Sequence, residues 1–179
     1  MEIAISIFGT VVLLGGLFVG LRQILLLGKQ IGVMTDQMQS QHEWNMKDAT
    51  FSYIAKFRSE LSVTNLALQK KFGYLKLDGT PLSTSQIAEV ISDDELRSHV
   101  FSLVSYCDQL ALGISKDYFD DSIAFESLCV SVTAAYSSLV PYIALRRSET
   151  GVNVAEYFER LTSAWMARIE NDPGMKSAI

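Results

Sequence analysis

Cysteine, histidine and proline are scarce in this chain, and basic runs are missing altogether. The two cysteines, Cys107 and Cys129, lie inside apolar stretches with no spaced framework around them. That pattern suits reduced thiols rather than a disulfide scaffold. The two histidines, His42 and His99, stand far apart with no ligand set read beside them, so no metal site and no cofactor are expected. Only three prolines occur, and few β-branched alternations, which leaves little to build a sheet and points to an all-α chain. The formal net charge is −5, and no Lys/Arg stripe appears. Direct nucleic-acid binding is therefore not expected, since its electrostatic footprint is lacking. Neither a G-x-S-x-G elbow nor a G-x-x-x-x-G-K-[ST] phosphate loop is present, so the sequence offers no catalytic residue and reads as a non-enzyme.

Charge is also missing, entirely, from Ile3 to Leu21 (IAISIFGTVVLLGGLFVGL). These nineteen residues make roughly 28 Å of helix, close to the bilayer's hydrocarbon thickness. Twelve are Leu, Ile, Val or Phe, worth about 4–7 kcal/mol of insertion, which four glycines and two hydroxyls reduce. The acidic start at Glu2 and the long apolar core argue against a cleaved signal peptide. Residues 1–22 are thus expected to be a transmembrane anchor. Glu2 precedes the run while Arg22 and Lys29 follow it, so the N-terminus is expected outside and the remainder in the cytoplasm. Gly16-Leu17-Phe18-Val19-Gly20 is a small-x-x-x-small motif of the kind that lets helices pack closely in lipid.

Beyond the anchor, apolar residues recur at Ile24, Leu27, Ile31, Met34 and Met38, spaced three and four alternately. That is a coiled-coil seam, carried on a glutamine-rich helix that predicts a stalk over residues 23–45. Gly16, Gly20, Leu27, Ile31, Met34 and Met38 are the candidate oligomer interface. Residues 46–171 read as one helical domain, of a size suited to a single core, with 172–179 as a tail. Within it, helices are expected from Asn45 to Lys70-Lys71-Phe72-Gly73, over Ser83–Ile91, from Asp94 to about Ile114, from residue 121 to about 145, and from Val152 to Glu170. Tyr74–Pro81 is a turn with room for a short extended segment. Pro141 is expected to kink its helix, and Pro173-Gly174 to end the last one.

Tyr106-Cys107-Asp108-Gln109-Leu110-Ala111-Leu112-Gly113-Ile114 is followed by Tyr118-Phe119-Asp120-Asp121, Pro141-Tyr142-Ile143, Arg146-Arg147 and Tyr157-Phe158-Glu159-Arg160-Leu161 to Trp165. This set resembles a family of small bacterial membrane proteins of unknown function, over about residues 100–166. The resemblance implies one N-terminal span, a bacterial inner-membrane location and a helical cytoplasmic domain. That family's usual Asn-Tyr-x-Glu opening is here Ser105-Tyr106-Cys107-Asp108. The layout is also similar to the small transmembrane accessory protein of type VI-B CRISPR systems, which would imply a ring-shaped pore in antiviral defence.

Asp108, Arg146 and Arg147, with Tyr106 and Trp165 nearby, form the candidate polar cluster, in which the aspartate would meet an arginine fork and fix helix register. Arg97-Ser98-His99 is too short for the arginine–histidine motif of helical ribonucleases, which disfavours a nuclease or hydrolase. The expected function is a membrane-anchored homo-oligomeric assembly protein, with the bilayer and its own copies as partners. The alternative is a monomeric or dimeric anchor that recruits a cytosolic protein.

Overall fold

A computed structural model describes residues 2–73 and 77–171, with side chains from residue 15 onward. Five α-helices and no strand occur among the described residues: α1 (Glu2–Phe72), α2 (Thr84–Ser92), α3 (Asp94–Ser115), α4 (Asp121–Thr150) and α5 (Glu156–Asn171). A long N-terminal helix followed by a helical bundle is the architecture the apolar periodicities predict. The chain divides into two compact units, Met1–Asn45 and Met46–Ile179. The first consists of the N-terminal part of α1. The second holds the rest of α1 and α2–α5.

The core of the second unit is built from one face of each helix. Phe57 and Leu68 of α1, Leu103 and Leu110 of α3, Phe125 and Leu139 of α4, and Phe158 and Trp165 of α5 are all essentially sealed from solvent. α5 packs on both α3 and α4, and α2 lies against the same pair. Polar stitches run between α1 and its neighbours. The Thr64 hydroxyl donates to the His99 carbonyl, and the Tyr53 hydroxyl to that of Tyr106. The Thr50 hydroxyl accepts from the Asp120 N–H at 2.8 Å, fixing the loop before α4.

The helix ends follow local chemistry. α1 stops at Phe72, after Lys70-Lys71, because Gly73 takes a left-handed φ of 78° that continues no helix. α2 opens with a reciprocal capping box between Ser83 and Gln86. Asp93 ends α2 and caps α3 through the Leu96 N–H. That bond, with Lys71 beside it, holds the Asp93 carboxyl below its usual range. The cap is therefore expected to be fully formed at neutral pH and to be lost as pH falls through that lowered value. Asp120 caps α4, and Gly151, at φ 66°, terminates it.

Two boundaries differ from the sequence expectation. α4 runs to Thr150 rather than stopping near 145, because only Gly151 offers a left-handed terminus. α5 starts at Glu156 rather than Val152, since Ala155 itself sits at φ 60° and cannot be helical. Pro141 lies inside α4, and the helix continues past it to Thr150. Here the loop before α2 docks: the Leu82 N–H donates to the Ser138 carbonyl, and the Gly79 N–H to the Ser138 hydroxyl, each at 3.0 Å. Pro141 takes the helical donor from the Ser137 carbonyl, and the loop amide binds the next carbonyl along, that of Ser138. The Asp78-Gly79 turn forms as expected, with the Thr80 N–H bound to the Asp78 carboxylate. The extended segment expected around Tyr74, and the stop at Pro173-Gly174, lie outside the described residues.

Candidate functional site

In the first unit the seam residues Leu27, Ile31, Met34 and Met38 lie between 56 and 71 % exposed. That unit is a single helix, so no second element of it covers them. Gly16 is exposed and Gly20 partly covered, with nothing within 4 Å of where a Cβ would stand on either. Ile24, Leu25 and Leu26 are equally bare. A monomeric soluble protein seldom leaves so continuous an apolar surface uncovered. Among the described residues two helices are apolar and long enough to cross a membrane, α1 and α4. They use that character differently. The apolar window of α1 is not buried at all, whereas half of that in α4 is inside the bundle. α4 therefore spends its hydrophobicity on the core.

The second unit distributes the polar candidates over four local sets. Asp108, on α3, accepts the Phe158 N–H of α5 at 3.0 Å. Phe158 is the third residue of α5, and the residue in the cap position is Ala155, which has no side-chain acceptor. Asp108 thus caps α5 from a neighbouring helix, and its charge faces the positive pole of that helix. Arg147 grips the same turn. Its Nε donates to the Val154 carbonyl at 2.8 Å and its Nη2 to Glu159 Oε2 at 2.8 Å, bracing Ala155 in its left-handed conformation. Beside Glu159, burial and that carboxylate push the Tyr136 phenol up.

The expected pairing of Asp108 with an arginine fork is therefore corrected. Both residues act on the start of α5, but the fork is filled by backbone carbonyls and Glu159, and Asp108 by an amide. Arg146 pairs with Glu149 at 2.6 Å. It also lines a surface cleft of about 300 Å³ with Arg97, Phe101 and Tyr142. Trp165 donates from Nε1 to Asp121 at 2.9 Å and meets the Phe125 ring edge-on. Arg168 completes that set, its guanidinium 3.9 Å above Phe125 and 3.4 Å from Asp121. Tyr106 sits by Tyr53, whose phenol burial pushes up strongly. Asp121, Glu159, Arg168 and Tyr53 escaped the sequence reading because their partners lie on other helices. His99 has a carboxylate one turn away, Glu95 at 3.9 Å, which the sequence reading overlooked. Among the described residues no group of three or more His, Cys, Asp or Glu could hold a metal ion. Cys107 is fully buried, and its thiol is pushed up by burial, so it is not a nucleophile.

These sets order the bundle. Asp108→Ala is expected to lower stability by about 0.5–2 kcal/mol, the usual worth of an N-cap. Urea unfolding followed by circular dichroism would read it, and Asp108→Asn should keep most of the loss from occurring.

A bundle whose polar clusters serve its own helix ends, and a first unit that is a bare apolar helix, define an all-helical protein with an uncovered apolar segment. The chain belongs to the family described as Domain of unknown function (DUF4760), which matches residues 10–165. That match takes in part of the apolar run, the seam and the bundle as far as Trp165. No curated protein and no solved structure matches the chain.

Proposed function

We propose that this chain is a single-span, membrane-anchored assembly protein without enzymatic activity, in which α1 holds it in the bilayer and joins it to other copies. The observation that carries the reading is the bare apolar face of the first unit, from Leu17 through Met38. Lipid can cover its first part. The part beyond Arg22 calls for protein, because a seam there would otherwise stand in water. The basic residues Arg22 and Lys29 support placing the bundle on the cytoplasmic side. A ring of such anchors enclosing a pore, acting in antiviral defence, is the sharper form of this proposal.

The test is size after extraction. Detergent-solubilised protein is expected to give one discrete oligomer by light scattering, and a single chain would overturn the reading. Ile31→Asp with Met34→Asp is expected to shift that oligomer towards single chains while the bundle's melting profile is kept. Conductance of reconstituted vesicles distinguishes a pore from a closed scaffold.

A further inference from the structure

The charges of the first unit follow a rule of their own. Between Arg22 and Asn45 the only charged residues are Arg22, Lys29, Asp36 and Glu43, each seven after the last. Gln23, Gln30 and Gln37 repeat at the same interval, one place further on. With Ile24, Ile31 and Met38 in heptad position a and Leu27 and Met34 in d, all four charges fall in f and the three glutamines in g. Position f points away from the a/d seam, while e and g flank it. Position e holds Gly28, Thr35 and His42. Charge is thus placed on the back of the helix and kept off both flanks of the seam. A solvated single helix has no reason to confine its charges to one line.

We infer that this stripe pairs with the same stripe of a second copy, in register and parallel, as a two-stranded left-handed coiled coil over residues 23–43. The inference rests on the membrane-anchored reading above, because anchors inserted in one direction hold their stalks parallel and at one depth. Identical chains then meet in register with no like charges opposed across the seam. The f charges point outward, where salt screens them at a separation beyond about 10 Å. A strict seven-residue repeat is shorter than two straight-helix turns, so the seam winds left-handed. Isoleucine at a with leucine at d favours two strands over three or four. The seam ends in polar residues, Gln41 at d and Asn45 at a, where the bundle unit begins at Met46. The pair is then the repeating unit of whatever larger assembly forms, and further contacts come from elsewhere on the chain.

Single cysteines placed in the full-length protein from position 27 to 38, and oxidised in native membranes, test this. The unsubstituted chain, whose Cys107 and Cys129 are buried, gives the background. Ile31→Cys and Met34→Cys are expected to cross-link to dimers while Lys29→Cys and Asp36→Cys stay monomeric. A flat profile, or a maximum at positions 29 and 36, overturns the seam. If the extracted protein is still a discrete oligomer in that case, self-assembly stands and only the seam falls. If it is a single chain, both fall.

Discussion

Placing two arginines in the middle of the apolar run, Val12→Arg with Leu13→Arg, is expected to release the protein from the membrane. Each arginine near the bilayer centre costs roughly 2.5–3.5 kcal/mol, so the pair costs about 5–7 kcal/mol. The whole run gains only about 4–7 kcal/mol from its twelve large apolar residues, and the substitutions also remove two of those. The balance therefore reaches zero or reverses. Flotation of membranes from cells making the full-length chain reads the result directly. The unsubstituted protein floats with lipid, and the double variant is recovered at the bottom of the gradient. The same pair of arginines at Gln39 and Ser40, beyond the run, should leave flotation unchanged. Equal flotation of the two variants would remove the anchor on which the proposed function rests.

Trp165→Ala carries the second large effect, and it lies in the bundle. Trp165 is 2 % exposed, packs edge-on against Phe125 at 5.6 Å and bonds to Asp121 at the start of α4. Truncating a buried tryptophan costs about 3–5 kcal/mol, from lost burial and the cavity left behind. A domain of this size is stable by only about 5–15 kcal/mol, so the variant stands at or near unfolding at physiological temperature. Thermal melts by circular dichroism should show the midpoint falling steeply. Trp165→Phe keeps most of the burial and loses one hydrogen bond, for about 0.5–1.5 kcal/mol. Asp121 keeps Arg168 as a partner in that variant. If both variants melted alike, the hydrogen bond rather than the ring would hold α5 in place. Both changes lie in the second unit, outside the apolar run, so flotation should be kept even where the bundle unfolds.

The two variants separate the parts of the chain that could be read from sequence from those that could not. Apolar periodicity in α3, from Leu96 through Leu110, and the acidic starts at Asp93-Asp94 and Asp120-Asp121 announce helices because their signals act within one or two turns. The glycine at 73 and that at 151 end helices for an equally local reason. α5 was misread at its start because its cap is not local. Ala155 has no side-chain acceptor for the first turn, and the Phe158 N–H is met instead by Asp108, fifty residues before it. The same distance problem hid Asp121 from Trp165, forty-four residues apart, and sent Arg147 to Glu159 rather than to Asp108.

What the sequence by itself determined is the all-α architecture, with a long apolar helix ahead of a bundle, because hydrophobic period and helix caps are properties of neighbouring residues. Only the tertiary structure decided which carboxylate meets which arginine or amide, and that α4 buries half of its apolar window while that of α1 is not buried. Those outcomes depend on which helix faces lie together, and a side chain's partner is set by whatever group the packing brings within about 3 Å.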